Sequence, residues 1–194
     1  MKQTKLDRFF KINYKKNKLN NKLNSTPNNT PVYGSTNNKI PIDLDIFKLN
    51  NFKLNDKINT EIPRYILRFD GASKGNPGKA GAGAVLYKNN EEIWSIAKYL
   101  GNQTNNYAEC FAVILGINEA YNRGIKNLQV EGDSMLIINQ LKGKWAIKNK
   151  DLKKLHLSIT EVLKQFDNIS YKHIYRNFNK RADELANQGV LNNN

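Results

Sequence analysis

Cysteine is almost absent from this chain: Cys110 is the single one in 194 residues. An intrachain disulfide is therefore excluded, which predicts a reducing, intracellular setting. Cys110 follows Glu109 inside an apolar helical pattern and reads as a small buried residue. Long hydrophobic runs are also missing. No stretch approaches the ~20 apolar residues of a membrane span, and no signal-peptide core is visible near the N-terminus, so no membrane partner is expected. Acidic residues are scarce, with 17 Asp and Glu against 31 Lys and Arg, a net charge of +14. The excess is spread over the chain. Residues 1–60 carry +8 and the remaining 134 carry +6. Basic charge on both parts favours a polyanionic partner, above all nucleic acid.

What is present divides the chain into three parts. Residues 1–10 hold a short apolar–basic peptide. Residues 11–60 are rich in Asn and Lys, and Pro27, Pro31, Gly34 and Pro41 interrupt any periodicity. This composition predicts a disordered basic linker, with short ordered pieces at most near Ile42–Leu54. Residues 61–191 carry the patterned segments of one domain. Tyr65–Phe69 reads as a strand and Lys74-Gly75-Asn76-Pro77-Gly78 as a turn. Ala80–Tyr87 reads as a second strand, with Asn89-Asn90 as a hairpin turn into a third, Glu92–Leu100. Thr104 or Asn105 caps a helix of about 18 residues ending near Gly124. There follow a strand at Leu128–Val130, helices at Ser134–Leu141 and Leu152–Phe166, a strand at Ile169–Tyr175 and a helix from Asn179 to Gly189. The order βββαβααβα implies an α/β fold with a mixed sheet flanked by helices.

Four carboxylates stand out against the acidic deficit. Asp70 ends the first apolar run, Glu109 sits in the first long helix, Asp133 follows the fourth strand, and Asp183 opens the last helix. An Asp at a strand end is an ordinary turn or cap residue when taken singly. A carboxylate inside an apolar helix is costly to bury without a partner. Gathered in one cleft, the four concentrate negative charge that cations offset. Carboxylates with open coordination positions suit Mg²⁺, which keeps waters and accepts phosphate oxygens.

The flanking motifs sharpen this. They are Phe69-Asp70-Gly71-Ala72-Ser73-Lys74-Gly75-Asn76-Pro77-Gly78, Thr104-Asn105-Asn106-Tyr107-Ala108-Glu109, Gly132-Asp133-Ser134 and Asn179-Lys180-Arg181-Ala182-Asp183-Glu184-Leu185-Ala186. In their order and spacing the chain resembles type 1 ribonuclease H over residues 62–190. The resemblance implies a ribonuclease H-like five-stranded mixed sheet and hydrolysis of the RNA strand of an RNA–DNA hybrid by two metal ions. Asp70, Glu109, Asp133 and Asp183, with the Gly71 backbone, would hold Mg²⁺, Mn²⁺ being the alternative. Gly75, Asn105, Asn106 and Gln140 resemble positions that touch ribose 2′-hydroxyls and minor-groove base edges, work that side-chain amides suit because they donate and accept. Asn76 and Thr104 resemble the pocket for a DNA-strand phosphate, and Asn179 matches a position near the metals, where it would also contact substrate. Nothing in the pattern demands more than a monomer.

Two departures from the best-known members stand out. The helical handle rich in Lys and Trp is missing, and Gln140-Leu141-Lys142-Gly143-Lys144-Trp145 runs almost directly into the next helix, as in a handle-less branch. Trp145 is expected in the core, and Lys142, Lys144, Lys148 and Lys150 fit either a grip on nucleic acid or a solvated face. The loop before Asp183 is short. The strand pattern around His173 gives that residue a structural place and leaves Arg176 as the candidate for phosphate contact.

At the N-terminus, Gln3-Thr4-Lys5-Leu6-Asp7-Arg8-Phe9-Phe10 resembles the peptide that docks on the sliding clamp of DNA replication. One helical turn would place Leu6, Phe9 and Phe10 in an apolar pocket with Gln3 hydrogen-bonding beside it. The competing reading is a mitochondrial presequence, against which Asp7 and the paired Phe argue. A flexible linker of roughly 50 residues spans about 40 Å r.m.s., enough for a nuclease to search DNA near a clamp. The expected location is then the nucleus or a viral replication site in a eukaryotic or viral setting, or the cytoplasm in an archaeal one. Two other classes compete. A non-catalytic hybrid- or clamp-binding module with the same fold would have lost a carboxylate. A proofreading exonuclease would carry Asp-x-Glu on the first strand, where Asp70 is followed by Gly71-Ala72.

Overall fold

The first strand is longer than its sequence predicts, and this places the first carboxylate. In the structure, a computed structural model describing residues 64–192, β1 spans Tyr65–Gly75 rather than stopping at Phe69. The readings of residues 1–60 as peptide and linker lie outside the described residues. Asp70-Gly71-Ala72-Ser73 looks like turn chemistry in isolation. Pairing with β2 (Gly78–Lys88) keeps it extended, with Asp70 opposite Gly83 and Ser73 opposite Ala80. Tertiary pairing overrides local preference here. Asn89 and Asn90, at φ 52° and 72°, make the tight turn into β3 (Glu91–Gln103). Both central residues of such a turn are left-handed, which Asn tolerates.

The sheet runs β3-β2-β1-β4-β5. Its first three strands are antiparallel. Strands β4 (Asn127–Gly132) and β5 (Asn168–His173) lie parallel to β1 and to each other. The β1–β4 pairing ends at Arg68 opposite Glu131. Beyond it β1 keeps β2 on one side but has lost β4, so Asp70 sits where the parallel half of the sheet opens.

Helix α1 (Asn105–Asn122) is capped by Thr104, whose hydroxyl accepts from the Tyr107 N–H at 3.2 Å. Its buried residues run from Ala108 to Ile117 without a gap, because it is covered on two sides, by the sheet and by α3 (Lys150–Leu163). A β-carbon on Gly71 would fall 2.1 Å from the Glu109 nitrogen, so only glycine lets this helix lie on β1. Helix α4 (Lys180–Leu191) packs on β1, β2 and β3. It meets Gly83, the cross-strand partner of Asp70, so α4 and Asp70 share a face of the sheet. Leu67, Phe69 and Gly71 alternate with Asp70 and face α1. The sheet is thus sandwiched between α1 with α3 and α4, with Leu67, Phe69, Val85, Ile114, Leu155 and Ile159 in the core. The short α2 (Met135–Leu141) follows β4, and Ser134 caps it.

Two expectations need correction. Trp145 is not in the core but 49% exposed. It lies in the non-helical stretch between α2 and α3, its main-chain N–H donating to the Asn139 carbonyl. The last strand ends at His173, not Tyr175. Tyr175 instead precedes a 3₁₀ turn at Arg176–Phe178 that leads into α4. The element order βββαβααβα holds throughout.

Candidate active site

Three kinds of position bring the four carboxylates together: mid-strand for Asp70, the second helical turn for Glu109, and an element junction or first turn for Asp133 and Asp183. They line one open cleft of about 290 Å³ with Gly71, Ser73, Asn105, Arg176 and Asn187. Each carboxylate is held by a neighbour. Asp70 Oδ1 accepts the Gly71 N–H at 2.8 Å. Glu109 accepts from Ser134 Oγ at 2.8 Å on one oxygen and from Asn105 Nδ2 at 3.2 Å on the other. Asp133 Oδ1 accepts from Asn179 Nδ2 at 2.8 Å. Asp183 takes Arg176 Nη2 at 3.0 Å and Asn187 Nδ2 at 3.2 Å.

These partners do not neutralise the cleft. Asp70 is pushed up to about 7, first by burial and then by the Asp133 charge, with Glu109 and Asp183 adding to it and the Gly71 N–H opposing. Glu109 also rises to about 7. Burial dominates and Asp133 adds to it, while Ser134 and Asn105 oppose. A site that resists ionisation of its own carboxylates has an unmet demand for positive charge. Arg176 supplies some of it, since Asp183, Asp70 and Asp133 all hold its guanidinium in the charged form. Oxygen donors without sulfur or imidazole suit a hard cation such as Mg²⁺. Among the described residues, no three acidic, His or Cys side chains already form a metal-binding cluster. The carboxylates line an open cleft and bond to side-chain amides, a hydroxyl and Arg176. The donor chemistry fits a divalent ion, and taking one up requires some of these bonds to be exchanged.

The expected substrate residues divide. Gly75 ends β1 at φ 99°, and the adjacent Asn76 Oδ1 accepts the Asn105 N–H at 3.2 Å, which brings Asn76 beside Thr104 at the N-terminus of α1. Asn106 is exposed. Asn105 turns to Glu109 rather than outward. Gln140 is only 8% exposed and does not line the cleft. Asn179, expected in contact with substrate, is fully buried and bonds Asp133 and the Phe69 carbonyl, which makes it a positioning residue. Its buried Oδ1 has no hydrogen-bond partner. His173 Nε2 donates to the Asp133 main-chain carbonyl at 3.1 Å, in keeping with a structural place, and Arg176 lines the cleft.

Sequence reasoning passed over Ser134 and Asn187. Their signals were local: Ser134 directly follows Asp133 at a helix cap, and Asn187 lies one helical turn after Asp183. Arg68 was also missed. It bonds Glu131 at 2.9 Å and the Phe178 carbonyl at 3.0 Å, a link between residues far apart in sequence that no local pattern announces.

Residues 68–189 match the reverse transcriptase-like family. Ribonuclease HI of Halobacterium salinarum is 39% identical over 123 residues, covering 63% of this chain and 62% of that protein, so the chain spans less than two thirds of that relative's length. Ribonuclease H of Pseudomonas fluorescens is 33% identical, covering 62% of this chain and 88% of that protein. Among solved structures, LC11-RNase H1 in complex with an RNA/DNA hybrid superposes with a TM-score of 0.62 at 32% identity, covering 66% of this chain and 96% of the other.

Proposed function

Since the chain belongs to the ribonuclease H family, we propose that it hydrolyses the RNA strand of RNA–DNA hybrids, leaving 5′-phosphate and 3′-hydroxyl ends. The observation that carries this reading is the convergence of Asp70, Glu109, Asp133 and Asp183 on one cleft whose charge is left unbalanced. These four, with the Gly71 backbone, would hold two Mg²⁺ ions. Bound there, the ions would supply Lewis acidity and offset the charge that develops on the phosphate. The chain's own residues set up the rest. Asn179 fixes the Asp133 carboxylate, while Ser134 and Asn105 fix Glu109. Arg176, already over the acidic cluster, would exchange part of its contact with Asp183 for a substrate phosphate. Asn76 and Thr104 at the helix start would bind a DNA-strand phosphate, and Gly75 and the exposed Asn106 would face the minor groove, where the 2′-hydroxyl distinguishes RNA.

The test is cleavage of a labelled RNA strand annealed to DNA, beside RNA–RNA and DNA–DNA duplexes, with Mg²⁺ or with chelator. Cutting of the hybrid alone, and only with metal, is the expected result. Hybrid binding without any cutting would leave a non-catalytic module of the same fold.

The N-terminal peptide extends this proposal. Gln3, Leu6, Phe9 and Phe10 would dock the enzyme on a sliding clamp, with residues 11–60 as a tether, in an intracellular replication compartment. Replacing Phe9 and Phe10 together by Ala should abolish clamp binding and leave cleavage of free hybrid intact. Equal clamp affinity in the double variant would refute the docking role.

A further inference from the structure

Two large aromatic side chains stand in solvent beside the cleft. Tyr175 is 75% exposed and Phe178 60% exposed, on either side of Arg176, which lines the cleft. A single exposed ring needs no explanation. Two rings on one 3₁₀ turn, bracketing a cation that faces an acidic site, are a different matter.

The backbone beneath them is held at several points. The Phe178 N–H donates to the Tyr175 carbonyl and the Asn179 N–H to the Arg176 carbonyl, both at 2.9 Å. Arg68 Nη1 donates to the Phe178 carbonyl at 3.0 Å. Arg68 is itself fixed by the buried Glu131 at 2.9 Å and lies 5.4 Å from the centre of the Tyr87 ring. Asn179 ties the end of the turn to the Phe69 carbonyl and to Asp133. The Tyr175 ring meets His173 edge-on at 6.3 Å. The segment is therefore an anchored shelf that projects two rings and a cation, a costly arrangement in water unless a ligand covers it.

The chemistry of the shelf narrows that ligand. Arg176 and the exposed Lys180, four residues on, want anions, and the rings want flat or apolar surface. A nucleic-acid strand offers both, as phosphates alternating with sugars. In an RNA-containing duplex the bases are already paired and stacked, and the wide, shallow minor groove displays the sugars. Resting on the hybrid reading above, we propose that Tyr175 and Phe178 are further substrate-binding residues, packing on ribose faces of the RNA strand that flank the phosphate met by Arg176.

The experiment compares the full chain with Tyr175→Ala, Phe178→Ala and the double variant. KM and kcat are read on a long hybrid with mapped internal cleavage sites, Kd on a fluorescent hybrid in chelator, and Tm in parallel. The double variant should raise KM and Kd about tenfold, the scale of losing the apolar contact of two rings, while kcat falls less than twofold. Because both rings are exposed, Tm should move by less than about 2 °C. KM and Kd within twofold of wild type would overturn the proposal. A defect confined to sites near the duplex ends would place the rings on terminal bases and overturn the ribose assignment. If wild type binds hybrid without cutting it, the catalytic reading fails, and the Kd comparison still decides the shelf.

Discussion

The amide of Asn179 reaches the Asp133 carboxylate across 2.8 Å and the Phe69 carbonyl across 2.9 Å. It thereby ties the entry to α4 to the middle of β1 and to the residue that follows β4. Replacing Asn179 by Ala frees Asp133 and leaves a buried carbonyl unpaired. The expected result is a loss of about 1–3 kcal/mol in stability and a fall in kcat of roughly 10–100-fold from the misplaced carboxylate. Steady-state hybrid cleavage with a denaturant titration checks both.

The unbalanced cleft predicts an unusual pH dependence. Asp70 and Glu109 both titrate near 7 in the folded protein, against 3.8 and 4.5 for the free side chains. For a carboxyl whose folded value is raised, the folded state binds more protons. Stability from this source is full below about pH 4 and is lost as pH rises to about 7. The metal-free protein should therefore be less stable at pH 8 than at pH 5, each group costing on the order of 3 kcal/mol. Mg²⁺ should restore stability most at pH 8, where both groups are ionised. Urea unfolding at the two pH values, with metal and with chelator, measures it.

Asp70→Asn separates activity from stability. It removes the most strongly opposed charge of the cleft while keeping the side chain's shape. Cleavage in Mg²⁺ should fall by about a thousandfold or more. In chelator at pH 8 the variant should unfold at higher urea than wild type, and the difference should shrink at pH 5. Undiminished cleavage would refute the metal-site assignment.

Arg68 and Glu131 should behave as a coupled pair. Glu131 is 2% exposed, so Arg68→Met leaves a buried carboxylate with only the Gln129 amide at 2.6 Å and Lys172 at 3.9 Å, at a cost of about 1.5–3 kcal/mol. Adding Glu131→Leu should recover most of the stability. It should not recover kcat/KM, because the bond from Arg68 to the Phe178 carbonyl stays lost. A double-mutant cycle read on both stability and activity tests this.

Packing between α4 and the sheet is close at Gly83, where a β-carbon would fall 2.3 Å from the Ala182 carbonyl oxygen and the Ala186 nitrogen. Gly83→Ala should push α4 off the sheet and carry Asp183 with it. We expect about 3 kcal/mol of destabilisation and a drop in cleavage beyond what the unfolded fraction explains. Circular dichroism melts with activity normalised to folded protein distinguish the two.

Much of this molecule was legible in its sequence because the relevant forces are local. The Thr104 cap and the apolar run behind it set α1 at its expected 18 residues, and Asn89-Asn90 set the hairpin between β2 and β3. The four carboxylates stood in motifs whose order implied a shared cleft. What the sequence alone could not decide depends on partners distant along the chain. Pairing with β2 keeps Asp70 in mid-strand. Bonds from Asn179 and Ser134 hold Asp133 and Glu109. Tertiary packing leaves Trp145 half-exposed and Tyr175 and Phe178 mostly exposed. Local propensity and periodicity determined which elements form and which residues could carry the chemistry. Burial, strand register and long-range hydrogen bonds exist only once the chain has closed on itself, and they decided which side chains meet, which charges stay unbalanced and which rings face outward.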